Sequence, residues 1–186
     1  MKLKTKPVSK SLPEYMQIRL LIKRAFPKDE QLPMWLLRLL STKKNIDFTA
    51  YYDENTFCGI TYTVQNKNMA FVLYLAVNDE IRSKGYGSAI LAQLKVGFKR
   101  KPISLNVETL DLNAKNYDQR VRRVAFYKKN GFLSTNQFLS DKKTKYLILS
   151  TAENFSAEDY QAVLRTFSCG LYTPKILHNE RGTRCG

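Results

Sequence analysis

The sequence predicts a mixed α/β fold: a mostly antiparallel sheet with helices on both faces and a parallel strand–helix–strand unit at its centre. Three observations predict it. Two segments with helical apolar spacing come first. A β-rich meander follows, running into a strand that is apolar almost throughout. Strand and helix patterns then alternate before a closing hairpin, which calls for a right-handed crossover between the parallel strands.

From Glu14 to Ala25, apolar residues recur at Tyr15, Ile18, Leu21, Ile22 and Ala25, and Pro27 ends the helix. Leu32 to Leu40 reads as a second short helix with Pro33 in its first turn. Its Trp35, Leu36 and Leu39 are expected to face the core or a substrate cleft. Phe48 to Tyr52 and Cys58 to Val64 read as a hairpin, and Met69 to Val77 as a central strand buried on both faces. Ile90, Leu91, Leu94 and Phe98 give a helix from Ser88 to Phe98, and Pro102 follows it. Ile103 to Glu108 alternates as a half-buried strand should. A polar segment, Asp111 to Asp118, leads to a helix from Arg120 to Lys129, stopped by Asn130-Gly131. Leu133 to Leu139 and Lys145 to Ser150 form the closing hairpin. Ser156-Ala-Glu-Asp159 is a capping arrangement for a helix reaching Phe167. Leu171 to Leu177 is a last strand or an extended tail.

Composition limits the function. The 44% hydrophobic and 12% aromatic content fills a core, so disorder is not expected. Residues 1–177 read as one domain, with 1–12 as a basic, solvated arm, 156–177 as a C-terminal helix and strand, and 178–186 as a flexible tail. The 31 Lys and Arg against 16 Asp and Glu give +15, which favours anionic partners but also suits a plain basic surface. No apolar run follows the basic arm as in a signal peptide, and the stretch around Met34 is too short to span a membrane. A cytoplasmic chain with no membrane partner is expected. Cys58, Cys169 and Cys185 are widely spaced and form no metal-ligand pair, so no metal is expected. His178 is the only histidine, which leaves no Ser-His or Cys-His pair away from the chain's end.

The segment Tyr74-Leu-Ala-Val-Asn-Asp-Glu-Ile-Arg-Ser-Lys-Gly-Tyr-Gly-Ser88 carries the most chemistry. A strand, a short basic loop and two glycines opening a helix aim backbone N–H groups at one point, where the helix dipole adds positive potential. Gly85 and Gly87 let the backbone approach a ligand closely, and Arg82 and Lys84 add charge. A pyrophosphate fits that chemistry. A dinucleotide fingerprint is the rival, with Glu108 as its ribose-binding acid. Against it, Ile90 stands where the third glycine belongs, and seven residues separate Val77 from the first glycine. A Walker loop is excluded, since no Gly-Lys-Ser/Thr is present.

Arg82-x-x-Gly85-x-Gly87 after an apolar strand resembles the coenzyme A loop of the GNAT superfamily of N-acetyltransferases. Arg122-Arg-Val-Ala-Phe-Tyr-Lys-Lys-Asn-Gly-Phe132 looks like that family's later helix, with its Tyr four residues before Gly-Phe. The resemblance covers Phe48 to Ser150 and implies a GNAT-like fold that transfers an acetyl group from acetyl-CoA directly to a primary amine of a small molecule or protein. It implies that Leu75, Ala76 and Val77 form the edge that pairs with the pantetheine arm, with a backbone N–H near Val77 holding the thioester carbonyl. Arg82, Ser83, Lys84, Gly85, Tyr86, Gly87 and Ser88 would cradle the pyrophosphate. Tyr127 would protonate the leaving thiolate, a phenol and a thiol being of comparable acidity. Arg120 stands where the family often has Asn. Glu108 is the best carboxylate for the base, directly or through water, and Asp111 comes next. Glu80 is expected to be merely solvated. The rival from another class is a basic module that binds RNA or ribosomes on a GNAT-like scaffold without turnover, although no aromatic RNA-binding signature is visible. Nucleic acid is therefore not the expected partner. The amine acceptor is not legible, and both a monomer and a homodimer are open.

Overall fold

The computed structural model of the chain describes residues 1–81, 84–99, 101–141, 144–168, 170 and 174–178. Eight strands and five α-helices follow in the order β1 (Lys4–Pro7), α1 (Tyr15–Ala25), α2 (Met34–Leu40), β2 (Ile46–Asp53), β3 (Thr56–Gln65), β4 (Ala70–Val77), α3 (Tyr86–Phe98), β5 (Ile103–Glu108), α4 (Tyr117–Lys129), β6 (Leu133–Asp141), β7 (Thr144–Ser150), α5 (Ala157–Phe167) and β8 (Lys175–His178). The chain divides into two compact units: residues 1–65 with 72–99, and residues 66–71 with 100–186. Both are α/β, and the pairing within them is antiparallel except where β4 begins beside β5.

In the first unit the strand order is β1-β2-β3-β4. Every residue from Phe57 to Val64 on β3 is buried, so both faces of that strand are covered. Tyr62 donates to Leu37 O at 3.1 Å and Tyr74 to Glu30 O at 2.5 Å, which ties α2 and the α1–α2 connection to the sheet. In the second helix Pro33 is not in the first turn, and the core alternative fails for Trp35 and Leu39. Pro33 caps it from outside, Leu37 is its buried residue, and Trp35 and Leu39 are 61% and 58% exposed. A helix of two turns has room for only one apolar row against the sheet, and Leu37 occupies it.

The basic arm also differs. Lys4–Pro7 is not a solvated tail but edge strand β1, in register Lys4↔Tyr52 to Pro7↔Thr49. Its side chains are exposed while Leu3 and Val8 at its ends are buried. Gln93 on α3 fastens the start, accepting from Leu3 N and donating to Leu3 O, both at 3.1 Å.

In the second unit the start of β4 lies next to β5, and the order continues β7-β6-β8. Ala70 N donates to Pro102 O at 2.9 Å just before β5 begins. Ile103–Glu108 pairs with β7, Ser104 opposite Ser150 and Glu108 opposite Tyr146. Ser156 caps α5 as its sequence predicts, accepting from Asp159 N at 3.1 Å. Tyr160 on that helix donates to Asn106 Oδ1 at 2.8 Å, which fixes α5 against β5. Of the expected last strand, Lys175–His178 is formed, while residues 171–173, the tail from 179 onward, Cys169 and Cys185 lie outside the described residues.

Candidate active site

The first unit holds the residues expected to bind phosphate. Along the end of β4, Leu75 and Val77 are half-buried and Ala76 is buried, as alternation requires. Asn78 then turns the chain off the sheet. Its N–H donates to Cys58 O at 2.8 Å, its Nδ2 to Phe57 O at 3.0 Å, and its Oδ1 accepts from Glu80 N at 3.2 Å. A buried amide with all these partners pins the start of the loop to β3. The short 3-10 turn Asp79–Ile81 comes next. Its acids face α1: Asp79 pairs with Arg24 at 2.7 Å, and Glu80 accepts from Gln17 at 3.4 Å rather than being merely solvated.

Arg82 and Ser83 lie outside the described residues. Lys84 is exposed. Gly85, at φ +80°, is the residue preceding α3. That left-handed conformation is costly for any residue with a Cβ. The helix starts at Tyr86, two residues earlier than expected, so Gly87 and Ser88 belong to its first turn. Gly85 brings no side chain to cap this end, and no acid sits in the first turn. Among the described residues no side chain occupies the N–H groups of the first turn, and the helix dipole favours an anion there. Tyr86 contributes backbone only. Its phenol donates to Asp53 Oδ2 at 2.9 Å, and that bond pushes its pKa up to about 12.

Two residues of this unit were not foreseen. Gly59 on β3 faces the end of β4, where a Cβ would run into Ala76 O and come within 3.1 Å of Val77 Cα. The signal was an isolated glycine inside a strand pattern, which marks close backbone approach. Asn78 was the other, legible as an Asx turn after the strand. Cys58 beside them is fully buried, and burial pushes its thiol up, so it is no nucleophile.

The second unit holds both residues expected to do chemistry. Glu108 ends β5. Arg120 Nη2 meets its Oε1 at 2.9 Å, Arg123 Nη1 meets its Oε2 at 3.1 Å, and Asn116 Nδ2 donates to Oε2 at 3.4 Å. Arg120 also donates to Thr109 O at 2.8 Å and to Asn116 Oδ1 at 2.9 Å. The guanidinium thus clamps the start of α4 to the end of β5. Tyr127 is buried on α4 between Phe126 and Phe132, with ring centroids at 5.2 and 5.7 Å. Its carbonyl accepts from Asn130 N and Phe132 N, both at 3.0 Å. Burial pushes its phenol up to about 12, and the charge of Arg123 partly offsets this. Arg123 therefore acts on both Glu108 and Tyr127. It was missed, although a cation four residues before the Tyr lies on the same helix face. Asn106 is engaged by Tyr160, and Asp111 is exposed in a turn where its Oδ1 accepts from Asn113 N at 3.0 Å.

Among the described residues no group of three His, Cys, Asp or Glu is placed to hold a metal. No helix among them is long and apolar enough to cross a membrane.

A strand that ends in a pinned turn, followed by a glycine-led helix, places the expected phosphate loop in an α/β domain. Residues 44–133 match the family model described as "Acetyltransferase (GNAT) domain". No curated protein sequence matches the chain. Among solved structures it is similar to a putative acetyltransferase of the GNAT family from Bacteroides thetaiotaomicron, at 22% identity and TM-score 0.71, covering 91% of this chain and 99% of that one. It is also similar to a GNAT family acetyltransferase from Elizabethkingia anophelis with acetyl-CoA bound, at 13% identity and TM-score 0.56, covering 80% and 97%. A third likeness is to the aminoglycoside 6'-N-acetyltransferase from Enterococcus faecium, at 13% identity and TM-score 0.57, covering 82% and 99%. At these identities the likeness is one of fold.

Proposed function

We propose that the chain is an acetyl-CoA-dependent N-acetyltransferase that moves the acetyl group to a primary amine by direct attack. The observation that carries this reading is the N-terminus of α3: it has no acid in its first turn and no side-chain cap from Gly85, which precedes it at φ +80°. Such an end binds the pyrophosphate of coenzyme A through main-chain N–H groups. A Cβ built on Gly85 meets no atom within 4 Å, so the backbone there is open to a bulky phosphate group. The Elizabethkingia protein of the same fold was solved with acetyl-CoA bound, which agrees with this choice of co-substrate.

In this reading Leu75, Ala76 and Val77 offer the strand edge to the pantetheine arm, and a backbone N–H near Val77 stabilises the carbonyl oxygen as charge builds on it. The residues from Arg82 to Ser88 hold the phosphates. Tyr127 is the acid. Its phenol oxygen has no hydrogen-bond partner among the described residues, and with its pKa near 12 it is protonated throughout the neutral range. It is then a weaker acid than an ordinary thiol. Its contribution is a hydrogen bond that strengthens as the thiolate forms. For Glu108, both oxygens are engaged by guanidinium groups, which favours anchoring α4 over accepting the amine's proton. The base role proposed for it rests on its place at the end of β5 and requires a water between it and the amine.

The test is thermal unfolding with and without acetyl-CoA. At 100 times its Kd a ligand adds about 2.7 kcal/mol, or roughly 5–10 °C for a chain of this size. The Gly85→Glu variant, which puts a carboxylate before the helix and a side chain at positive φ, is expected to lose that shift. An unmoved wild-type curve at millimolar acetyl-CoA refutes the assignment.

A further inference from the structure

Helices α1 and α2 and their connection line an open cavity of about 580 Å³, within the range of small-molecule sites. Arg19, Lys23 and Lys28 line it, together with the apolar surfaces of Tyr15, Met34 and Trp35, and none of its lining residues is an acid. All three cations lack an ion-pair partner among the described residues, whereas nearby Arg24 is committed to Asp79. Trp35 is 61% exposed here, far more than core packing would leave it. The walls are fixed. Leu32 N donates to Tyr74 Oη at 3.0 Å, Tyr74 donates to Glu30 O, and Arg38 on α2 lies 5.7 Å over the Tyr15 ring on α1. Tyr74 precedes Leu75 on β4, so the cavity wall is bonded to the strand that the proposed reaction uses.

We propose that this cavity receives the acceptor, and that the acceptor is a small amine carrying a carboxylate or phosphate beside an apolar or aromatic group. The proposal rests on the acetyltransferase reading. The anion meets Arg19, Lys23 and Lys28, which a polycationic amine would find repulsive. The apolar part covers Trp35 and Met34, and a guanidinium such as that of Arg19 pairs with carboxylate or phosphate in two-pronged fashion.

Trp35 is the only tryptophan in the chain, so its fluorescence reports on the cavity without turnover. Glutamyl-phenylalanine amide, phosphoseryl-phenylalanine amide and lysyl-phenylalanine amide are titrated against the protein. Saturable change is expected with the acidic probes, at least about tenfold tighter than with the lysyl probe for three exposed cations, and weaker in high salt. The carboxylate and phosphate arms show which anion is preferred. The Arg19→Glu/Lys28→Glu variant is expected to abolish the preference while keeping its melting shift with acetyl-CoA. Equal or tighter lysyl binding, no saturation by either acidic probe, or an unaltered preference in the variant overturns the proposal. A wild type that fails to shift with acetyl-CoA instead overturns the acetyltransferase reading, whatever Trp35 reports.

Discussion

Gly59 and Tyr127 are single residues whose chemistry follows from what surrounds them. Gly59 lets β3 lie against Ala76 and Val77, and no rotamer can move a Cβ away from a backbone oxygen. Gly59→Ala is expected to cost about 1–3 kcal/mol by overpacking and to weaken the acetyl-CoA shift, because what gives way is the end of β4. A variant that melts with the wild type and keeps its shift shows that the approach is dispensable. Tyr127→Phe is expected to lower kcat about 100-fold with little change in KM, the scale of losing one hydrogen bond to a developing anion. With the phenol near 12, the wild-type rate has no acid to lose as pH rises from 7 to 10. A decline in kcat within that range, absent in the Phe variant, would assign Tyr127 a lower pKa than burial gives it.

Among the elements, the helix ends carry the proposed binding and the strands carry the placement. Strand β5 was legible to the residue because Ile103, Leu105 and Val107 alternate with polar neighbours. The cap of α5 was legible because Ser156 and Asp159 have the spacing a cap needs. Strand β1 was not. Its four side chains are all exposed, and it is held by backbone pairing with β2, which leaves no apolar pattern. Pro7 is tolerated there because an edge strand has one unpaired side. In the candidate site, the glycine-led start of α3 was readable from Gly85 and Gly87, while the pairing of Glu108 with Arg120 and Arg123 was not, since it joins a strand to a helix nine or more residues on. That network is the fastening of α4. Glu108→Gln leaves two guanidinium groups without a counter-charge, a loss of about 3 kcal/mol for a largely buried pair, or roughly 6–12 °C in Tm. If the variant keeps its Tm but loses turnover with a shifted pH profile, Glu108 is the base and not the anchor.

Among the described residues, at least six of the chain's eleven tyrosines hold their protons more tightly folded than unfolded. Burial is the leading cause for Tyr51, Tyr52, Tyr62, Tyr74 and Tyr127, and the bond to Asp53 for Tyr86. Four of them tie the first unit together: Tyr62 and Tyr74 bind the N-terminal helices, Tyr86 binds the end of β2, and Tyr52 donates to Glu14 at 2.9 Å. A phenol is neutral when protonated, so a raised folded-state pKa favours folding fully below the unfolded value near 10. The advantage is lost as pH climbs through the folded value, and for Tyr127 the window runs from 10 to about 12, at about 1.4 kcal/mol per pH unit. The protein is therefore expected to unfold cooperatively above pH 10. Absorbance at 295 nm counts phenolates while far-UV circular dichroism follows the fold. At most five tyrosines are expected to ionise before the dichroism collapses, and the remaining six to ionise with it. A sixth phenolate in a chain whose dichroism is intact would mean that at least one of these contacts opens to water without unfolding, and the first to examine would be the Tyr86–Asp53 bond that holds the start of α3.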